Sequence, residues 1–493
     1  MKIIKKYLIN LDSYQLNTYG LALKEFIKQI DKNSVSNIAF HCASKEDKHK
    51  IKKYFNNIKV FCVEDYIREN YPIKKNYNPK QIIEKLNISF GRLNYSLSMY
   101  KKFYYQTNLS PDKQYDLDLK RMFLFYNFYD EIFEKFKPNI VIHEHTGGLG
   151  SSILWEKCKE FNCKYFFIKG MYFDDRFALV DQENFTSPFF EKSKHLLFDE
   201  HQYSKFKIKI ANLKNKFAPF ESRKKIKKIK KIFLLNIFRP LKNLIKSILK
   251  YNRNSKEINY LLTRHPPIMD GVFYKSLSYI KNLIIRKIYI DNEVNLDDDF
   301  VIVFLQVEPE LSSYSMVKKD IDTESLIKNI SLSLPVGVKL YVKEHPAQMK
   351  QSRSKDLSFF KNIKSFSNVR ILPINFDSIS LIKKSKFVVS GSGTCLFECI
   401  LHNKKCIHYG SHFYTEHQNL IKIDNYENLS NILDKLILQN ESHENIEENY
   451  KFAFRVYKSM LLGKHFVSLD EKEENLNNWS NSFSKIFLYC EKL

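Results

Sequence analysis

An α/β fold in two parts is what this 493-residue sequence predicts. Three observations predict it. Short apolar runs alternate with helix-patterned segments in two stretches of chain, the signature of parallel sheets covered by helices. Several runs end in residues that do chemistry, where open parallel sheets hold ligands. And the chain exceeds what one core holds, while 44% hydrophobic and 15% aromatic residues are ample to fill two.

In the first part, "NIAFHCAS" (37–44) and "KVFCV" (59–63) predict buried strands around a charged helix. A long, aromatic, helical stretch follows from about 80 to 137. "KPNIVIHEHTGGLGSSILWEKCKEFNCKYFFIKGMYF" then predicts a strand over 139–143, a glycine-containing loop, a helix over 150–161 and a strand over 164–168. Charged helix and linker run on to residue 292, with "TRHPPIMDG" inside.

The second part is clearer. "DDFVIVFLQV" (298–307) predicts a strand, and "TESLIKNISLSLP" a helix with Thr323 as its N-cap. "VKLYVKEHP", "NVRILPI", "KFVVSGSGT" and "KCIHYGSHFY" predict four more strands with their exits. "DSISLIKKS" and "GTCLFECILHNK" are helices between them. The last 50 residues are helix-patterned. The expected organisation is an α/β domain over 1–190, a basic, mostly helical linker over 191–292, a second α/β domain over 293–440, and closing helices over 441–493.

The net charge is +25, and it is uneven. From Arg223 to Lys256 there are 13 Lys and Arg and no acid, about half the excess in one segment. Basic residues interleaved with apolar ones suit anionic lipid, so this segment is the expected membrane contact. The chain offers no nucleic-acid module, and nucleic acid is not an expected partner. No run approaches a bilayer span, and the apolar stretch at the N-terminus breaks at Asn10 and Asp12, too early for a signal peptide. The expected location is cytoplasmic, peripheral at the inner membrane face. Eight cysteines lack the spacing of a zinc or redox site and are expected as reduced packing residues.

Two strand ends stand out. "SGSGT" opens a helix, and its glycines and hydroxyls suit a phosphate. The structural alternative is a tight turn with a helix cap. "LYVKEHP" puts Lys343 and His345 at a neighbouring strand end, where Pro346 turns the chain away because it offers no N–H to a ladder. Glu398, four residues after Thr394, suits a ribose diol or merely solvates its helix.

"FLQVEPELSSYS", "LPVGVKLYVKEHPAQMKQSRS" and "SGSGTCLFECILHNKKCIHYGSHFY", in that order, resemble the bacterial capsule polysaccharide biosynthesis family, which includes Kdo transferases. The resemblance covers about residues 300–420. It implies a GT-B-like fold, two Rossmann-like domains with a cleft between them. A similar His-Pro motif in bacterial sialyltransferases grips the CMP of the donor. Carried across, His345 and Pro346 are that motif, Ser390, Ser392, Gly393 and Thr394 the phosphate loop, and Glu398 the carboxylate behind it. Gln306 and Glu310 match a segment facing the cleft, and Lys343 joins this donor-binding set. Val307 and Cys395 depart from the expected pattern and leave the donor sugar open.

Transfer also needs a group to take the acceptor's proton. "HEHTGG" offers Glu144 and His145, and Asp174 and Asp175 follow the next strand. No cofactor or metal is expected; Asp297, Asp298 and Asp299 are read as a turn before a strand. The expected activity is a metal-independent glycosyltransferase that moves a sugar from a nucleotide-linked, CMP-favoured donor to a glycan or lipid-linked glycan. The alternatives are a teichoic-acid-type CDP-polyol glycerophosphotransferase and a non-catalytic basic scaffold.

Overall fold

The computed structural model describes residues 1–73, 84, 110–143, 147–170, 172–195, 197–214, 249, 255–262, 280–281, 283–285, 287–291, 293–307, 322–346, 357–438, 446–464 and 472–493. Two compact units divide the chain. The first comprises Met1–Glu191, Ser247–Pro266 and Ser459–Leu493, the second Lys192–Lys246 and Pro267–Lys458. The stretch expected as a linker is thus shared out: helix Glu200–Lys214 counts with the second unit and helix Lys256–Leu261 with the first. Of the closing helices, Lys472–Cys490 counts with the first unit and nearly all of Ile446–Ser459 with the second. The basic segment 223–256, apart from Leu249, Ser255 and Lys256, and "TRHPPIMDG" lie outside the described residues.

In chain order the strands are β1 (Tyr7–Asn10), β2 (Ile38–Cys42), β3 (Lys59–Cys62), β4 (Ile140–His143), β5 (Lys164–Gly170) and β6 (Arg176–Asp181). Then come β7 (Phe300–Phe304), β8 (Lys339–Lys343), β9 (Val369–Leu372), β10 (Val388–Ser390), β11 (Cys406–His408), β12 (Leu420–Lys422) and β13 (Leu461–Leu462).

The first unit's sheet has the order β3-β2-β1-β4-β5-β6-β13. β1 to β5 are parallel, β6 returns antiparallel to β5, and β13 lies antiparallel on β6. Side chains alternate between its faces. Tyr7 and Ile9 of β1 meet Trp479, Phe483, Ile486 and Phe487 of helix Lys472–Cys490 on one face. Leu8, Ala39 and Val141 meet helices Pro111–Lys135 and Leu149–Glu160 on the other. Tyr7 stacks on Phe487 at 4.2 Å between centroids and Phe177 on Trp479 at 4.0 Å, so the C-terminal helix is a structural wall of this sheet. The central strand β1 was not expected from the sequence, because four residues among N-terminal lysines are too few to show a period.

The second sheet is wholly parallel, in the order β12-β11-β10-β7-β8-β9. Counted from β7 this is 3-2-1-4-5-6, the doubly wound order. Helices Thr323–Ser333, Leu357–Lys364 and Leu429–Leu438 bury Leu326, Ile330, Phe360 and Leu433 against Val301, Val303, Leu340 and Val342. The cap of helix Thr323–Ser333 is Asp322 and not Thr323. Its carboxylate accepts from the N–H groups of Glu324 and Ser325 at 2.9 and 3.1 Å, and a charged acceptor suits a helix start better than a hydroxyl. The two-part α/β architecture is therefore present, with a parallel sheet in each unit. Asp297, Asp298 and Asp299 each meet a lysine, Lys384, Lys339 and Lys386, just ahead of β7. All eight cysteines are free, and only Cys395 is less than fully buried. No helix among the described residues is long and apolar enough to cross a membrane.

Candidate functional site

In a doubly wound sheet the crevice opens where the strand order reverses, beyond the carboxyl ends of the two strands there. In the second unit those strands are β7 and β10. β7 leads into Leu305-Gln306-Val307, and β10 runs through Ser390 into "GSGT". The two exits are tied together: Gln306 Nε2 donates to Ser392 Oγ at 3.2 Å. A Cβ at Gly391 would stand 2.1 Å from Gln306 Nε2, so only glycine leaves room for the glutamine to lie across the loop.

The β11 exit braces the same loop. His412 Nε2 donates to the Ser392 carbonyl at 2.8 Å, and its ring stacks on Tyr414 at 4.8 Å. A Cβ at Gly410 would meet the Gly391 carbonyl oxygen at 2.8 Å and Ser392 Cβ at 2.9 Å. His408, wholly buried, donates from Nδ1 to the Gly410 carbonyl at 2.7 Å. These three positions were not expected as a brace. The sequence gives "KCIHYGSHFY" only as a strand with its exit, since which loop that exit touches depends on strand order.

The expected donor residues divide by burial. Ser390 is buried and its hydroxyl turns back toward the Phe304 carbonyl. Ser392 is also buried, Gly393 is half-buried and Thr394 is exposed. Thr394 starts the short helix Cys395–Leu401 without spending its hydroxyl on a cap. His345 is exposed and Pro346 half-buried at the exit of β8, which pairs with β7 on the side away from β10. Glu310 lies outside the described residues.

Lys343 and Glu398 are both withdrawn from water, at 2% and 6% exposure. Burial pushes the Glu398 carboxyl up to about 7; Lys343 pulls against that shift and Asp377 adds to it. Burial likewise brings the Lys343 ammonium down to about 8, opposed by Glu398, Asp377 and Glu344. A lysine and a carboxyl titrating so close to neutrality mark this strand end as electrostatically tuned.

Of the expected proton acceptors, Glu144 and His145 lie outside the described residues. Asp174 is exposed and Asp175 half-buried, side by side in the turn between β5 and β6. The first unit's own reversal point is elsewhere, between β1 and β4. Asn10, Asp12, His41 and His143 gather there; the sequence marks His143 only as a neighbour of Glu144 in "HEHTGG" and gives the other three no role. Among the described residues no group of three or more His, Cys, Asp and Glu could hold a metal ion.

Residues 250–418 match the model of the family described as capsule polysaccharide biosynthesis protein. No curated protein matches the chain significantly. Several solved structures are similar in fold. The Thermosulfurimonas dismutans KpsC β-Kdo 2,7 transferase is 12% identical, with 76% of this chain and 97% of that one covered at a TM-score of 0.32. The S. aureus MnaA–UDP co-structure is 11% identical, with 91% of each chain covered at 0.27. A UDP-GlcNAc 2-epimerase from Methanocaldococcus jannaschii is 13% identical, with 93% and 99% covered at 0.25. The segment that matches this family model, about a third of the chain, carries most of the crevice just described.

Proposed function

We propose that the chain is a glycosyltransferase of capsule polysaccharide synthesis, taking a sugar from a CMP-linked donor and passing it to a glycan or lipid-linked glycan. The observation that carries this reading is the braced loop at the reversal of the second sheet. Gln306, Ser392 and His412 hold one conformation of "SGSGT" before any ligand arrives, and a preformed cradle loses little entropy on binding.

In this reading Thr394 and Gly393 meet the donor phosphate, and His345 approaches from the β8 exit with Pro346 fixing its direction. Gln306, Ser390 and Ser392 shape the loop, and Glu310 completes the donor-binding set proposed from sequence. Lys343 and Glu398 set the charge beneath it, so that a departing nucleotide phosphate meets a cationic strand end. The acceptor's proton goes to a group in the first unit, with Glu144, His145, Asp174 and Asp175 as the set proposed from sequence. Residues 223–256 hold the protein to anionic lipid at the cytoplasmic face of the inner membrane. No metal is needed for any of these roles.

Calorimetric titration with CMP, CDP and UDP, on the wild type and on His345→Ala, tests the proposal. CMP binding that weakens in the variant is the expected result. Preference for CDP would favour polyol-phosphate transfer instead. No binding of any nucleotide by a folded sample would sink the enzymatic reading and leave the basic segment as the functional part.

A further inference from the structure

At the reversal point of the first sheet, three polar residues form a row on adjacent strands. Asn10 of β1 is in register with His41 of β2, and Ile9 with Ile142, which sets His143 of β4 beside Asn10. All three are buried. His143 Nε2 lies 3.2 Å from His41 Nδ1, and His41 Nε2 lies 3.3 Å from the Tyr129 hydroxyl. Burial lowers His41 to about 4, so it stays neutral and can both donate and accept along this chain.

Above the row stands Asp12, half-buried, just past the end of the central strand. One of its carboxylate oxygens accepts from the Ala43 N–H at 2.7 Å, and the other is approached by Asn10 Nδ2 at 3.4 Å. The Asp12 carboxylate caps no helix N–H, although it sits at the Ncap position of a short helical turn. The charged group nearest in effect is Asp47 on helix Lys45–Tyr54, which takes hydroxyl hydrogens from Ser13 and Ser44. Lys50 of that helix donates to Ser13 Oγ at 3.2 Å rather than to Asp12. Burial, with Asp47 adding to it and the Ala43 N–H opposing, raises Asp12 to about 6.

A second observation points the same way. Asn10 is 1% exposed, and its Oδ1 has no hydrogen-bond partner among the described residues. An unmet buried acceptor is destabilising, a deficit usual at a ligand edge and unusual in a settled core.

We propose that this edge is the hydroxyl-acceptor site, with Asp12 as the catalytic base and Asn10 and the His41–His143 pair as positioning residues beneath it. The inference rests on the glycosyl-transfer reading. Asp12 takes the proton of a sugar hydroxyl as that oxygen bonds to the donor's anomeric carbon. The bond from that carbon to the donor phosphate breaks, its electron pair leaves with the nucleotide, and Asp12 then returns the proton to solvent. The ligand class is a polyhydroxylated acceptor.

The test uses the full chain with a panel of methyl glycosides as acceptor probes, titrated by ligand-observed NMR. CMP release from CMP-Kdo and CMP-N-acetylneuraminate is the second readout. Glycoside binding by the wild type, weakened at least fivefold in Asp12→Asn with CMP affinity unchanged, is the expected result. Turnover should fall by about 10²–10⁴ in Asp12→Asn and be partly rescued in Asp12→Glu. Asn10→Ala should move the acid limb of the pH–rate profile away from pH ~6, which a merely structural residue would not do. A wild type that binds no glycoside, or an Asp12→Asn protein that binds and turns over normally while Glu144→Gln does not, overturns the inference. In the second case CMP binding survives and the glycosyl-transfer reading stands; in a chain that binds no CMP, that reading fails first.

Discussion

Both sheets place β-α-β reversals at their centre, β1 beside β4 in one and β7 beside β10 in the other, yet the two carboxyl edges are finished differently. The second unit's edge is a loop held by backbone geometry: two glycines where a Cβ would displace a neighbour, and side chains that bond to the loop itself. The first unit's edge is built of side chains on the strands, imidazoles and an amide in a row with a carboxylate above them. A backbone cradle suits a ligand whose charge is fixed, as a phosphate's is. A row of titratable groups suits a step in which a proton changes hands. The difference teaches that one strand order can serve binding in one copy and proton chemistry in the other.

The widest test of that division is whether the two edges stand independently. Trp479 is fully buried against Phe177, Tyr19 and Phe483 in the first unit. Trp479→Ala should cost about 3–5 kcal/mol of stability in that unit and leave CMP affinity within about twofold, read by denaturant melts and calorimetry. Loss of nucleotide binding at a temperature where the second unit remains folded would break the comparison.

Next comes the cradle itself. Gly410→Ala drives a Cβ into the Gly391 carbonyl, a backbone atom that cannot swing aside as a side-chain tip can. Overpacking of this kind costs about 1–3 kcal/mol, and here the displaced element is the loop, so CMP affinity should fall at least tenfold. Gly391→Ala meets the end of Gln306 and should do less, because the amide can turn away. Equal effects would mean that the loop is not held by its backbone.

Much of the second edge was legible from sequence, and the reason is physical. Its strands are mostly apolar runs of three to five residues, and those of β8, β9 and β10 run quickly into glycine, proline or histidine, so the strand and its exit declare themselves together. Ser392, Thr394 and His345 could be marked from that alone. The brace could not: Gly410 and His412 reach Ser392 only because β11 lies beside β10, and pairing is invisible in one chain. The first edge was harder. His41 reads as one residue inside an apolar strand, Asn10 ends a strand too short to show alternation, and Asp12 reads as a turn. Their function emerges only when registers bring 10, 41 and 143 into one row.

The acid–base signatures of the two edges sharpen the contrast further. Asp12 and Glu398 both have folded-state pKa values above the ordinary carboxylate range, about 6 and about 7. A carboxyl raised in this way contributes its stabilisation fully below its unfolded pKa and loses it as pH rises through the folded value. Asp12→Asn should therefore be more stable than the wild type at pH 8 and gain nothing at pH 3.5. For Glu398 the loss should run from about pH 4.5 to 7, and Glu398→Gln should flatten that part of the profile. Lys343 acts in the opposite sense: its folded pKa is lowered to about 8, so its contribution is full above about 10.5 and fades as pH falls through 8. Thermal melts across pH 3.5 to 9 on the three proteins would show whether the slopes belong to these groups. A wild-type profile unchanged in both variants would remove the electrostatic half of the comparison.

The smallest effect on the fold should come from the residue that drew the eye first. His345 is exposed at the β8 exit, and truncating a surface side chain usually changes stability by less than about 0.5 kcal/mol. If it grips a nucleotide phosphate, though, it contributes a charge-assisted hydrogen bond worth about 1.5–3 kcal/mol. His345→Ala should then weaken CMP roughly tenfold or more with no shift in melting temperature. That pairing of outcomes matters because a structural histidine would give the reverse, lost stability and unchanged affinity. Affinity carried by the loop backbone should survive His345→Ala and fall in Gly410→Ala. Measured together, the two variants separate what the strand end contributes to binding from what the glycine loop contributes.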